Sequence, residues 1–471
     1  AKNGATHQER SGKLLSSARM KPEGADDLAR TWQELQARRD QLKTDRKLAG
    51  LALGLVRELG NTTVHRDVLR EVAEAWTSDW ALTVTAASML VEQAGRRGMD
   101  EPPISEDGPA FWAASSLEQA LEALSESDRT NPDIAGNLNA MLGNALRMCG
   151  PNRDEAAREA FTRAVELDPE RGEWWYDAGL LDKGRGRFDD GFSANELARM
   201  HMGSERPVLW NLAICATALG KAEEAVEAWA ELGVEARIDR GRDMPYVADL
   251  PPLLLRVLSR TPDTDSTSQL PDKAVGFELV WVAPLSPCHG VVQSPTFRDA
   301  PIDYGDLVLW DGAPVAAHET KEQGTVPVFP LLEILRHGGE RRLPFVAFER
   351  EPNALDGLEA ELPEGVRVFI QQERVHHGCA ACAAGEPHEH HDTLADAPDA
   401  PSSLVRGKVI LAPTQALDEF RDTWEAALAV RPASVAIPAL YELLKDTKRA
   451  GQEHQAWRGI EGKALRQKAP S

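Results

Sequence analysis

Cysteine and histidine are concentrated in one short stretch of this 471-residue chain, HHGCAACAAGEPHEHH, at residues 376–391. Its two cysteines, Cys379 and Cys382, are separated by two residues, a spacing that lets two thiolates face one zinc ion. Zinc requires two further nitrogen or sulfur ligands, so the sequence predicts a zinc site in this stretch. The neighbouring candidates for the remaining positions are His376, His377, His388, His390 and His391.

A ligand from elsewhere in the chain could complete this site. Only five residues separate Cys382 from His388, fewer than the roughly twelve of a zinc finger. Cys288 would give a set of three cysteines and one histidine with Cys379, Cys382 and His388, and its neighbour His289 is the alternative. Such a closed set is typical of structural zinc. A catalytic metal, loose binding by a His-rich tract and chance clustering are the alternatives.

Cys288 and His289 are also the candidates for a thiol nucleophile with its base. Adjacent residues on a strand point to opposite faces, which disfavours this pairing. The phosphate-binding, dinucleotide-binding and metalloprotease motifs with established spacings do not occur in the sequence. No catalytic residue is therefore predicted.

Composition limits the class of protein. Hydrophobic residues make up 42% of the chain, enough for globular cores, and the net charge of −22 disfavours binding to nucleic acid. Five cysteines in so long a chain argue against a disulfide framework and favour a reducing compartment. The first residues lack the apolar segment of a signal peptide, and no apolar run approaches 18 residues. We expect a cytoplasmic protein without membrane insertion.

The first half of the chain has helical periodicity. After a flexible N-terminus at residues 1–24, apolar residues recur at helical spacing through residues 25–135, as in the stripe formed by Leu28, Trp32 and Leu35. Residues 25–135 could contain degenerate copies of the repeat that follows.

A repeat with a period of 34 residues is visible over residues 136–236. Small residues recur at Ala157, Gly191 and Ala225, and small pairs occur at positions 142–143, 178–179 and 212–213. This pattern resembles the tetratricopeptide repeat (TPR) family, although Gly191 and Asn195 depart from its usual alanine and aromatic residue. The resemblance implies a solenoid of helix pairs whose inner groove binds a protein partner.

The resemblance also indicates which residues would line that groove. The predicted partner-binding residues are Asn137, Asn144, Arg147, Tyr176, Lys183 and Trp210. Only Asn144 fits the family version that clamps a C-terminal carboxylate, because Leu180 and Ile214 occupy the equivalent positions. We therefore expect a larger protein surface as the partner.

The second half of the chain predicts a different class of structure. Residues 237–274 are predicted to be a linker with one short helix after the proline pair at 251–252. Residues 275–415 contain short Val/Ile/Phe-rich runs and are predicted to form a small β-rich domain, either a barrel or α+β. Asp311-Gly312 predicts a two-residue hairpin, VFPLLEILRHGG at 328–339 predicts a short helix, and residues 416–471 predict C-terminal helices.

The sequence thus predicts a multidomain chain with a TPR-like, all-α N-terminal half, a small β-rich domain and C-terminal helices. The predicted function is a non-enzymatic adaptor or scaffold that binds proteins through its repeats and carries a zinc-stabilised β domain. The alternatives are a metal- or thiol-dependent enzyme in the β domain, targeted by the repeats, and a metal-handling protein that uses the His-rich loop.

Overall fold

The computed structural model describes residues 22–95, 107–258, 277–297, 300–320, 324–371 and 404–468. The predicted metal-binding stretch at 376–391 lies outside the described residues. The chain divides into two compact units, Ala1–Glu170 and Arg171–Ser471. None of the described helices is both long enough and apolar enough to cross a membrane.

The first unit is built from helices. Their bounds are α1 Pro22–Gln36, α2 Arg46–Glu58, α3 Arg66–Ala75, α4 Trp80–Gly95, α5 Pro109–Glu122, α6 Glu126–Arg129, α7 Asn137–Met148 and α8 Asp154–Leu167. Helix α2 begins where the side chain of Asp45 accepts hydrogen bonds from the backbone amides of residues 47 and 48. Of the predicted apolar stripe, Leu35 is buried, whereas Leu28 and Trp32 are half-buried.

Helices α7 and α8 form the first predicted repeat, and a glycine sets their closest approach. A Cβ atom at Gly143 would lie 2.6 Å from the Phe161 ring, a separation that van der Waals contact forbids. Because Gly143 has no side chain, the buried Phe161 packs directly on the α7 backbone. Both residues belong to the small and aromatic positions of the sequence pattern.

Helices α9 to α12 in the second unit form the second and third repeats. Their bounds are α9 Gly172–Gly184, α10 Phe188–Met202, α11 Arg206–Ala218 and α12 Ala222–Glu231. Each pair turns at a glycine, Gly186 with φ of +73° and Gly220 with φ of +70°, conformations that L-residues with side chains rarely adopt. These two glycines are again one 34-residue period apart, and the helical half of the chain is TPR-like as predicted.

The departures at Gly191 and Asn195 are compensated by polar packing. Asn195 is fully buried and its amide donates to the Gly191 carbonyl at 2.7 Å. A side chain at Gly179 would overlap that amide nitrogen. The second repeat therefore closes on a hydrogen-bonded asparagine, where the third repeat has the buried Trp229.

A closed five-stranded β-barrel follows the repeats. After the small hairpin of β1 Arg237–Asp239 and β2 Met244–Tyr246, the barrel strands are β3 Leu253–Leu258, β4 Phe277–Pro284, β5 His289–Val292, β6 Leu307–Trp310 and β8 Gly324–Arg336. Parallel pairing of β3 with β8, with Leu254 opposite Val328, closes the ring β3-β4-β5-β6-β8. Strand β7, Ala316–Thr320, adds to β8 as a further antiparallel neighbour. The barrel alternative of the prediction is therefore the one observed.

Two segments that were predicted to be helical are strands. The predicted linker helix after the proline pair is β3 of the barrel. The predicted helix at 328–339 is instead most of β8. Side chains of β8 fill the barrel on one face, including Leu331 and Ile334, and pack against the repeat helices on the other, including Leu332 and Leu335. A strand buried on both faces carries a continuous apolar run, which periodicity does not distinguish from a short helix.

The predicted two-residue hairpin at Asp311-Gly312 is also wrong. Strands β6 and β7 do not pair with each other, because both pair with β8, which lies between them. Asp311 and Gly312 instead begin a connection of residues 311–315 without regular secondary structure. The Asp-Gly step has a different structural role, described below.

A second sheet and three helices complete the chain. Strands β9 Arg341–Glu349, β10 Arg367–Gln371, β11 Leu404–Leu411 and β12 Ala433–Ala436 form a sheet in the order β10-β11-β9-β12. Helices α13 Leu417–Ala429, α14 Pro438–Leu443 and α15 Thr447–Lys468 accompany it. The predicted C-terminal helices are present, but β12 interrupts them because its backbone pairs with β9.

A glycine-to-alanine substitution at a helix crossing tests the close approach. Gly179→Ala should destabilise the second unit by about 1–3 kcal/mol, because the added methyl group overlaps Asn195 in a packed interior. Gly451→Ala in α15 is the matched control, because a Cβ there meets nothing within 4 Å and alanine favours helix by about 1 kcal/mol. Urea unfolding of both variants measures the difference, and equal stabilisation by both would contradict the crossing.

Candidate functional site

The most unusual polar group of the second unit is Lys183, one of the predicted groove residues. It lies in the last turn of α9 and is only 1% exposed. Its ammonium group donates hydrogen bonds to both carboxylate oxygens of Asp311, each at 2.9 Å, and to Asn211 Oδ1 at 2.9 Å. Asp311 follows β6 directly, so this ion pair joins the second repeat to the barrel.

A chain of buried amides extends from this ion pair between the helices. Asn211 on α11 donates from its Nδ2 atom to Asn195 Oδ1 at 3.2 Å, and Asn195 on α10 donates to the Gly191 carbonyl. Both asparagines are nearly inaccessible to water. Buried polar groups of this kind require partners, so the network fixes the relative positions of α9, α10 and α11.

Trp210 contacts the barrel at the residue next to Asp311. A Cβ atom at Gly312 would lie 2.6 Å from the Trp210 ring, so only glycine permits the backbone to approach the ring this closely. The other side of Trp210 meets Trp229 edge-on, with ring centroids 4.7 Å apart. Tyr176 packs against the same apolar cluster. Tyr176, Lys183 and Trp210 thus all lie in or against the packing between the repeats and the barrel.

This use of the predicted groove residues was missed by the sequence analysis. Lys183 and Asp311 are separated by 128 residues, and no local pattern connects them. The weak signals were the asparagine at 195, where the family has an aromatic residue, and the Asp-Gly step after a strand. That Tyr176, Lys183 and Trp210 bind a partner stays a prediction.

The three predicted groove residues of the first repeat lie in the first unit. Asn144 is nearly buried, donates to the Ala140 carbonyl at 3.1 Å and accepts from Arg147 Nε at 2.8 Å. Asn137 and Arg147 are half-buried, and the Asn137 amide donates to the Asp133 carbonyl at 2.8 Å. These residues are α7 side chains that offer amide and guanidinium groups along one helix.

Cys288 lies in the packing between the barrel and α11. Its thiol is fully buried, 3.6 Å from the hydroxyls of both Thr217 and Ser286. Burial raises the pKa of Cys288 to about 11, so the thiol is protonated at neutral pH. A protonated, inaccessible thiol is unsuited to act as a nucleophile.

His289 is likewise buried, with a hydrogen bond of 2.6 Å between its Nδ1 atom and the Ser286 hydroxyl. Burial, with a smaller contribution from the Arg242 charge, lowers the pKa of His289 to about 4. The imidazole is therefore neutral at physiological pH.

The predicted metal site is not tested by the described part of the chain. Within that part, no three His, Cys, Asp or Glu side chains are grouped so that they could hold a metal ion. Of the predicted ligands, only Cys288 lies in it. The others, Cys379, Cys382, His376, His377, His388, His390 and His391, lie outside it.

Comparisons with known proteins give distant similarities only. The sequence matches no protein-family model and no curated protein. A crystal structure of the MamA protein aligns with 41% of this chain and 90% of that chain, with a TM-score of 0.30 and 17% identity. The crystal structure of YrrB, described as a TPR protein with an unusual peptide-binding site, aligns with 44% of this chain and 95% of that chain, with a TM-score of 0.28 and 17% identity. The repeat architecture described above rests on the helix pairs themselves.

The buried His289 predicts a loss of stability in acid. Below about pH 6.5 the unfolded chain binds a proton at this imidazole, whereas the folded chain does not until about pH 4. Stability is therefore unaffected by this group above pH 6.5 and falls as the pH decreases towards 4, by up to about 3 kcal/mol.

His289→Asn should remove most of this pH dependence while keeping a polar partner for Ser286. Urea unfolding at pH 7 and pH 4.5 measures it, with the exposed His201→Asn as the control. The same acid-induced loss in wild type and His289→Asn would show that His289 does not cause it.

Proposed function

We propose that this chain is a non-enzymatic protein-interaction adaptor that binds a partner through its helical repeats and carries the barrel in a fixed position on them. The observation that supports the fixed position is the contact of Lys183 with Asp311, accompanied by that of Trp210 with Gly312. TPR-like solenoids present inner surfaces that bind protein segments. In this chain, part of such a surface packs against the barrel.

The proposed partner-binding residues are those of the first repeat. Asn144 and Arg147 are hydrogen-bonded to each other on α7, and this pair supplies both donors and acceptors for a protein backbone. Tyr176, Lys183 and Trp210 are engaged with the barrel, so they are less suited to be the first point of contact. A partner bound at α7 would therefore leave the barrel contact intact.

A thiol-dependent enzyme in the barrel has less support. Such an enzyme requires an accessible thiolate beside a base. The Cys288 thiol is buried and its pKa is raised to about 11, while the pKa of His289 is lowered to about 4.

A structural zinc at residues 376–391 is part of the proposal. This stretch belongs to the excursion between β10 and β11, whose ends are held together by antiparallel pairing, with Gln371 opposite Arg406. A zinc ion bound to Cys379 and Cys382 would close such an excursion internally. The burial of Cys288 against Thr217 favours histidines of the same stretch as the remaining ligands.

Partner capture by the full chain tests the adaptor function. Arg147→Glu should reduce the captured partner at least tenfold, because it reverses the charge of the proposed binding face. Arg163→Glu on α8 is the matched control, since Arg163 is 62% exposed and its substitution makes the same charge change. Quantitative mass spectrometry of proteins retained by each variant provides the measurement. Equal retention by wild type and Arg147→Glu would refute binding at α7.

Metal analysis tests the zinc proposal. The wild-type chain should contain one zinc per molecule and lose it, with a lower Tm, when Cys379 and Cys382 are both replaced by serine. Cys288→Ala should keep its zinc if the loop supplies all ligands. Wild-type protein that carries no zinc after purification without chelator, and whose Tm does not rise on adding zinc, would contradict a structural zinc.

A further inference from the structure

We infer that Asp311 and Gly312 act as an internal ligand of the second and third repeats and exclude outside protein segments that carry the same acidic-glycine step. The receptor is the α9–α11 face, defined here by Tyr176, Lys183, Trp210 and Asn211. The inference rests on the proposed protein-binding function of the repeats and specifies how one of their surfaces is regulated.

Lys183 makes the α9–α11 face selective for a carboxylate. An ammonium group with 1% exposure has lost almost all contact with water, and such a charge is costly unless it is paired. Asp311 supplies both oxygens, and the neutral Asn211 supplies a third acceptor. If Asp311 leaves, another carboxylate must replace it, or water must enter a packed site.

Trp210 makes the same face selective for glycine at the following position. The Gly312 backbone lies so close to the ring that a Cβ atom would fall 2.6 Å and 2.8 Å from two ring carbons. Every other amino acid would force the ring or the backbone to move. Together, Lys183 and Trp210 recognise an acidic residue followed directly by glycine.

Exchange of this ligand requires only a local displacement. The Asp311 side chain is 20% exposed, and Ala313 and Pro314, which follow in the same connection, are exposed. The barrel has separate apolar contacts with the repeats through Leu309, Leu332 and Leu335. Residues 311–315 can therefore leave the face while these contacts persist.

Competition favours the internal ligand in the wild-type chain. A segment tethered in the same molecule has an effective concentration of about millimolar. An outside segment that replaces the Asp311 carboxylate with its own conserves the ion pair and the packing on Trp210, so the exchange itself is nearly balanced. Outside segments at micromolar concentration are then excluded unless the internal ligand is weakened.

Binding of a synthetic peptide to the full chain tests the inference. The probe is a fluorescent, N-acetylated WDGAPV peptide, the sequence of residues 310–315, and its matched control carries Asn in place of Asp. The Asp311→Asn chain should bind the probe at least tenfold more tightly than wild type and should not bind the control peptide. Adding Lys183→Met to Asp311→Asn should abolish binding.

Equal probe binding by wild type and a folded Asp311→Asn chain, or no binding by either, would overturn the inference. Should Asp311→Asn fail to fold, Gly312→Ala gives the same test, because its methyl group displaces the connection from Trp210. Gly312→Ala must then bind the probe at least fivefold more tightly than wild type, and no gain refutes the inference. The peptide assay uses no native partner, so its outcome is distinguishable from loss of capture by Arg147→Glu.

Discussion

A lysine removed from water organises the second unit. Lys183 lies at the end of a repeat helix, where its charge is shielded from solvent. The desolvation of that charge is compensated only if a carboxylate comes to meet it, and Asp311 does so from the first position after β6. Because Asp311 is fixed by the barrel and Lys183 by the repeats, the pairing sets the position of one on the other. The ion pair thus contributes specificity of arrangement as much as stability.

The surrounding contacts depend on close backbone approach. Gly179 leaves room for the Asn195 amide, which continues the hydrogen-bond network from Lys183 through Asn211. Gly312 leaves room for the Trp210 ring beside the ion pair. In both places, a missing side chain on one element admits a large or polar side chain from another. A TPR-like surface has thereby become the seat of a domain of the same chain.

This arrangement separates two surfaces of the repeats by their present occupancy. The α9–α11 face contacts the barrel, whereas Asn144 and Arg147 of α7 are the residues proposed to meet a partner. Cys288 and His289 have a structural part in the barrel packing, because burial keeps the thiol protonated and the imidazole neutral at physiological pH. The chemistry of the second unit, in the described residues, is therefore mainly that of fixing one element against another.

Local periodicity was sufficient to predict the helical repeats. The 34-residue recurrence of small residues such as Gly143 and Gly179 reflects contacts between helices that are adjacent in sequence, so the sequence by itself determined the TPR-like half and the β-rich class of the second half. It did not determine β8, because a strand buried on both faces has the apolar run of a helix. Nor did it determine the partners of Lys183 and Trp210. Tertiary structure alone decided those contacts, because it brings together residues more than a hundred positions apart whose complementarity of charge and shape leaves no local signal.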